Sequence, residues 1–336
     1  MARTLFMTAL AANSGKAEAV ASMMELVKGK AEAPVLFRPV SCLCTARDLI
    51  NAGKGNELID SVLASYKEAA AKSDFVLVEG TDFEGKSAAF EGALNACLAA
   101  NMGTPVMLVI NGEGCASAEV IATVMTYQCQ MKEQAVEVLG VFLTGMSAED
   151  EKAVNDHFAF PVSSKAADFT GILDACEGHI TPRLFEFGLI EQAQKHMMRI
   201  VLPEGEEDRL INAAAILIQR KVAHIILLGN EAKIKARAAE LGVNVDDAEI
   251  IEPTTAADYE DFSATYAELR AKKGVTIEQA REKMADNTYY GTMMIYKEKA
   301  DGMVSGAIHS TADTLRPTTQ RISHIRLHRE ILVVFY

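Results

Sequence analysis

The chain of 336 residues carries 46 acidic side chains against 33 Lys and Arg, a formal charge of −13. That balance argues against nonspecific binding to DNA or RNA, which needs a basic face, but leaves room for anionic small molecules at a local arginine cluster. The length suits two globular domains. No stretch reaches the roughly 18 apolar residues of a membrane-spanning helix, and "MARTLFMTALAANSGK" has no basic start with a long apolar core, so a soluble, cytoplasmic protein is expected.

In chain order, "RTLFMTAL" reads as a buried strand and "GKAEAVASMMELVKGK" as a helix. "APVLFRPV" is a second short strand, "NELIDSVLASYKEAAAKS" a helix, and "DFVLVEG" a strand ending at Glu79 and Gly80. Helix, strand, helix and strand then alternate through "FEGALNACLAANMG", "TPVMLVING", "SAEVIATVMTYQCQMKE" and "AVEVLGVFLTGM", closing on "FAFPVSS". Continuous apolar strands separated by helices predict a parallel sheet covered on both faces. The fold class is therefore α/β, with a complete first domain over residues 1–176 and a connector helix within 177–197.

The pattern then restarts. "RIVLPEG", "AHIILLGN", the short "DAEIIEP" and "ADGMVSGA" read as strands. "EEDRLINAAAILIQRKV" and "EAKIKARAAELGV" read as helices, as does "AADYEDFSATYAELRAKKG". "TIEQAREKMADNTYYGTMMIYKEK" is helical with a break expected near Asn287. This second α/β segment is placed at 198–322, with 323–336 set apart as a tail. The apolar end "ILVVFY" is expected to lack a partner strand, leaving an aggregation-prone edge.

Six scattered cysteines form no CxxC and have no His at metal-ligand spacing, which fits reduced thiols. Cys42 and Cys44 would share a face if "SCLCTA" were a strand. "TALAANSGK" sits where a phosphate-binding loop would, between a strand and a helix. Aligned on Gly15 and Lys16, however, Leu10 replaces the first glycine and Ala17 the hydroxyl that would hold Mg²⁺. The loop reads as a relic, and Glu79 as a capping or solvated residue as readily as an acidic partner. In the second domain, "VLPEGEEDR" puts Glu204, Gly205 and Arg209 at a strand end entering a helix, where open α/β sheets bind ligands. Arg270, Lys272 and Lys273 gather at a helix C-terminus, which also suits the helix dipole. "SGAIHSTADTLRP" offers Ser305, His309, Ser310, Thr311, Asp313, Thr314 and Arg316. Hydroxyls, turn amides and an arginine fork suit phosphate or carboxylate. His309 reads as a loop or packing residue rather than a base.

"RIVLPEGEEDR", "HIILLGN", "YAELRAKKG" and "DGMVSGAIHSTADTLRP" occur in the order and at about the spacing that resembles the phosphate acetyltransferases, from about residue 183 to Gln320. The first domain resembles the dethiobiotin-synthetase-like, degenerate P-loop domain that opens the long bacterial members. The further domain those members usually carry between the two is not evident here. The resemblance implies reversible acetyl transfer between acetyl phosphate and the thiol of coenzyme A, with an aspartate as thiol base and no metal or cofactor. Partners are then coenzyme A, acetyl phosphate and phosphate, with a homo-oligomer for the full-length form. It implies that Arg316 stabilises the substrate anion and developing oxyanion, and that Arg270, Ser310, Thr311 and Thr314 bind substrate. The family's "NDLSRG"-type motif and following aspartate are missing, so a truncation or frame change after about Gln320 is expected, with no turnover by this chain alone. A phosphate butyryltransferase, a non-catalytic regulatory or oligomerisation module, and an ATP-dependent ligase are the rival readings.

Overall fold

The apolar runs form parallel strands, as their continuity predicts, in a computed structural model that describes all residues except 1, 41–42, 82–87, 311, 313, 315, 318–330 and 334–336. Chain contacts divide it into two units, Met1–Phe187 and Gly188–Tyr336. In the first unit, β1 (Arg3–Ala9), α1 (Lys16–Lys28), β2 (Pro34–Phe37), α2 (Leu43–Asn51) and α3 (Gly55–Ala71) lead into β3 (Phe75–Glu79). Then come α4 (Ala88–Met102), β4 (Val106–Asn111), α5 (Ser117–Glu133), β5 (Val138–Thr144), α6 (Ala148–Asn155) and β6 (Val162–Ser163). The six strands lie in the order β2-β3-β1-β4-β5-β6, every pairing parallel.

Both faces of this sheet are buried, which is why its strands are apolar throughout rather than alternating. Phe6, Val76, Val78 and Leu108 pack on one face beneath α3, α4 and α5; Leu5, Met7, Leu77 and Val109 pack on the other against α1. Cys44 lies on helix α2, so the strand that would have aligned it with Cys42 does not form; Cys42 itself is outside the described residues.

The helix after Thr181, α7 (Pro182–Lys195), begins in the first unit and ends in the second. The predicted connector is thus helical, but its first turns belong to the first unit's core: Leu184 is buried there, and Arg183 binds Asp60 at 2.8 Å.

In the second unit, β7 (Met198–Leu202), α8 (Asp208–Gln219), β8 (Ala223–Leu228), α9 (Glu231–Leu241) and β9 (Glu249–Ile251) alternate regularly. Three helices follow, α10 (Tyr259–Arg270), α11 (Ile277–Met284) and α12 (Asn287–Tyr296), then β10 (Gly302–Ser305) and β11 (Ile331–Val333). The sheet order is β11-β10-β7-β8-β9, again all parallel. The break expected near Asn287 is real. Asp286 caps α12 by accepting from the amides of Thr288 and Tyr289.

One expectation is overturned at the chain's end. Ile331–Val333 does not lack a partner strand: it pairs with β10 in the register Met303↔Ile331 to Ser305↔Val333. The sheet's backbone groups there are satisfied by a segment that sequence reading set apart.

The helices α10, α11 and α12 bury Phe262, Tyr266, Met284, Tyr290 and Met293 against Val201, Ile226 and Met303. The close approach depends on Gly291. A Cβ there would stand 2.9 Å from Met303 Sδ and 3.1 Å from Val201 Cγ1, so a larger residue would require the Met303 side chain to shift.

Candidate functional site

The loop after β1 was the first candidate. Gly15 has a left-handed backbone (φ 72°) and opens α1, as a phosphate loop would. Lys16, however, is buried at 5% exposure, although it still lines the cleft at this loop. Its ammonium donates to the Gly80 carbonyl and lies 3.6 Å from Glu79 Oε1. Glu79, itself nearly buried, also accepts from Arg38 Nε at 2.8 Å. It is therefore an ion-paired residue at the end of β3 rather than a solvated cap.

The cleft outside this loop has a volume of about 710 Å³, and Glu18 and Glu113 line it beside Asn13, Ser14, Asn111 and Thr144. Two carboxylates facing the place of a phosphate, with the loop lysine committed elsewhere, oppose binding of a polyanion.

Two of the thiols are equally reserved. Burial pushes Cys176 up to about 12 and raises Cys97 as well, so neither offers a thiolate near neutrality. Among the described residues, no group of three or more His, Cys, Asp or Glu is arranged to hold a metal ion.

The second candidate lies at the carboxyl edge of the second sheet. β7 and β10 are neighbours, with Met303 opposite Val201. Three residues beyond each of these positions, the chains reach Glu204 and Gly306. Glu204 is 3% exposed, and its carboxylate turns across to the other strand's loop. Oε2 accepts from the amides of Gly306 (3.1 Å) and Ala307 (2.9 Å). Oε1 accepts from the amides of Ile308 (2.9 Å) and His309 (2.7 Å) and lies 2.8 Å from His309 Nδ1.

The turn amides that looked free to hold a substrate anion are therefore already occupied by a carboxylate of the protein. Sequence reading singled out Glu204 but could not find this bond, because the partners lie more than 100 residues away.

Burial alone would push the Glu204 carboxyl up. The amides of Ile308, His309 and Ala307 and the His309 ring outweigh it and hold the group below its ordinary 4.5. A carboxyl depressed in the folded state stabilises the fold above its unfolded value and loses that contribution as pH falls through the folded one. Hydrogen-exchange protection of the 306–309 amides, corrected for intrinsic rates, is therefore expected to hold from neutrality to about pH 4.5 and to fall below it. Protection that persists unchanged well below pH 4 would remove the Glu204 carboxylate as the source of the loop's order.

Other contacts tie this edge together. Arg209, at the start of α8, donates to the Ala307 carbonyl at 2.6 Å and to Glu207 at 2.7 Å. Asn287 donates to the carbonyls of Pro203 (2.8 Å) and Leu228 (3.2 Å), pinning the N-terminus of α12 to the ends of β7 and β8. Asn287 was noticed in the sequence only as a helix break, and its anchoring role had no local signal.

The predicted site residues divide by position. Thr314 is fully buried: its hydroxyl is 3.3 Å from Ser305 Oγ and from the Ser310 carbonyl, and its amide donates to that carbonyl at 3.0 Å. It orders the turn from inside. Ser310 and Arg316 are exposed on the same segment. Thr311 and Asp313 lie outside the described residues. Arg270 lies in the last turn of α10, beside Tyr266. Tyr266, one turn before it, meets Tyr289 in the first turn of α12 edge-on at 5.9 Å, and that first turn is the one pinned by Asn287.

A family model described as "Phosphate acetyl/butaryl transferase" matches residues 184–335, and one described as "AAA domain" matches residues 45–167. The first match extends into the segment from residue 323 that sequence reading set apart. A phosphate acetyltransferase of Nitratidesulfovibrio vulgaris is 28% identical over 515 aligned positions, covering 96% of this chain and 73% of that protein. One from Corynebacterium glutamicum is 44% identical over 146 residues, 44% of each chain. One from Helicobacter pylori is 28% identical over 331 residues, 90% of this chain and 61% of its own. The chain spans only part of the length of each. An alignment of 515 positions against 336 residues also means that the first relative carries a long stretch with no counterpart here.

Proposed function

Through residues 184–335 the chain belongs to the phosphate acetyltransferase family, and from that premise we propose that the protein serves reversible acetyl transfer between acetyl-CoA and phosphate. The observation that carries the proposal is the match of residues 184–335 to the phosphate acetyl/butaryl transferase model, with Ser310, Thr314 and Arg316 following β10 at the carboxyl edge of the second sheet.

In the direction that makes acetyl-CoA, the thiol sulfur attacks the acetyl carbonyl. The C–S bond forms, the C–O bond to phosphate breaks, phosphate leaves, and a base takes the thiol proton. Arg316 and Arg270 neutralise the phosphate and the oxyanion on the carbonyl, the charge stabilisation that dominates acyl transfer. Ser310 and Thr311 add hydroxyl donors, and Thr314 supports them. Glu204 is a poor base here, since its carboxylate is held in the ionised form by five donors. The reaction as written needs no metal or organic cofactor. The acetyl rather than butyryl substrate is favoured because the relatives from N. vulgaris, C. glutamicum and H. pylori are phosphate acetyltransferases. No helix among the described residues is long and apolar enough to cross a membrane; a cytoplasmic homo-oligomer is the setting we propose.

The test is calorimetric titration of the protein with inorganic phosphate, CoA, acetyl-CoA, butyryl-CoA and ATP. Saturable binding of phosphate, CoA and acetyl-CoA is expected, with no heat from ATP at the first unit. Absence of binding by all of the first three would sink the proposal. Tighter binding of butyryl-CoA than acetyl-CoA would move it to the butyryl enzyme, and a stoichiometric ATP isotherm lost in Lys16→Ala would restore the ligase reading of the first domain.

A further inference from the structure

We infer that Glu204 is the positioning residue of this sheet edge: its buried carboxylate shapes the Gly306–His309 loop from within and fixes the tautomer of His309. The inference rests on the acetyl-transfer reading and adds a residue to it.

Successive backbone amides that converge on one point form a concave anion site, and such concavities usually hold a phosphate from outside. Here the occupant is built into the neighbouring strand's end. A carboxylate has about four lone-pair positions, and Glu204 meets five donors, so its acceptor capacity is spent. The side chain is completely buried, so solvent does not compete for these bonds. Arg209 holds the loop from its other side through the Ala307 carbonyl. Loop residues 306 to 309 are therefore clamped at both their amides and a carbonyl. The next residues in the chain are the exposed Ser310 and the buried Thr314, whose amide closes back on the Ser310 carbonyl. The consequence for substrate is specific: phosphate is bound by side chains beyond residue 309 and not by the 306–309 amides.

The imidazole follows from the same contact. An ionised carboxylate only accepts, so His309 Nδ1, 2.8 Å away, carries the proton. In the neutral ring this leaves Nε2 unprotonated, on the far side from the buried carboxylate and on a side chain that is 32% exposed. Free imidazole favours the opposite tautomer. Glu204 thus sets which nitrogen of the partly exposed ring is left to accept, as a carboxylate does when it orients a metal-binding or catalytic histidine.

The experiment compares wild type with Glu204→Gln and Glu204→Asp, using ¹⁵N spectra of the histidine ring and titration with inorganic phosphate. Glutamine keeps one acceptor oxygen but turns an NH₂ group on two amide donors, so the loop should open. Expected are an Nδ1–H tautomer for His309 in wild type, its loss in Glu204→Gln, and at least a tenfold weaker phosphate affinity in that variant. Glu204→Asp, which keeps both oxygens on a shorter stem, should recover part of each. Wild-type phosphate affinity in Glu204→Gln would overturn the inference, as would an Nε2–H tautomer in wild type. Should Glu204→Gln fail to fold, Glu204→Asp with unchanged affinity and tautomer would do the same. A wild-type protein that binds no phosphate would remove the acetyl-transfer reading; the wild-type tautomer then still decides the Glu204–His309 contact, Nδ1–H upholding it and Nε2–H overturning it.

Discussion

Replacing Arg316 by alanine is expected to weaken phosphate and acetyl phosphate binding by about tenfold to a hundredfold. Hydrogen bonds to charged groups contribute about 1.5–3 kcal/mol, and each 1.4 kcal/mol is about tenfold in affinity. The lower end is the better guide for Arg316, because the residue is exposed and solvent screens it in the free protein. Arg316→Lys keeps the charge and loses the planar fork that matches phosphate oxygens. It should recover less than half of the lost binding energy if the contact is bidentate, and nearly all of it if only charge matters. Calorimetry with acetyl phosphate separates the two. An Arg316→Ala protein that bound acetyl phosphate as tightly as wild type would remove Arg316 from the site. Arg270→Ala, in the same assay, asks whether the other end of the proposed anion clamp is real.

Replacing Gly205 by alanine is expected to destabilise the second unit by about 1–3 kcal/mol, the usual range for overpacking. A Cβ at this position would stand 2.7 Å from the Leu228 carbonyl oxygen and 3.1 Å from the Leu228 amide nitrogen. Both are backbone atoms at the end of β8, so no side chain can swing aside to make room. The Leu228 carbonyl is also the acceptor for the Gly205 amide at 3.1 Å and for Asn287 at 3.2 Å. Pushing it away disturbs two bonds that hold this edge together, and moves the backbone next to Glu204. Denaturant unfolding should therefore show a lower midpoint for the second unit, and phosphate binding should weaken in the same protein. Unchanged stability in Gly205→Ala would mean that the strand ends at β7 and β8 separate without cost, against the geometry seen here.

The architecture was legible because parallel strands buried on both faces leave a plain mark. "FVLVE" and "HIILL" are apolar at nearly every position, and no alternating pattern competes with that reading. The break before Asn287 was legible for a similar reason, since Asp286 is a good helix cap. The tail was misread because a three-residue strand such as Ile331–Val333 is defined by its partner, and β10 is the partner. The site was legible only as a list of residue types. "SGAIHSTADTLRP" announces an anion-binding turn, but hydroxyls and amides in a sequence do not say which of them are already used.

What the sequence by itself determined is therefore the α/β class, the order of the two sheets and the family resemblance, because periodicity and motif spacing are local properties. Tertiary structure alone decided how the polar groups are spent. Lys16 is turned onto Gly80 and Glu79 instead of a phosphate, and Thr314 faces inward. The 306–309 amides are filled by Glu204 from the adjacent strand. The physical reason is that a buried donor or acceptor must find a partner, and that partner is chosen by strand neighbours in space, at distances along the chain that no local pattern records.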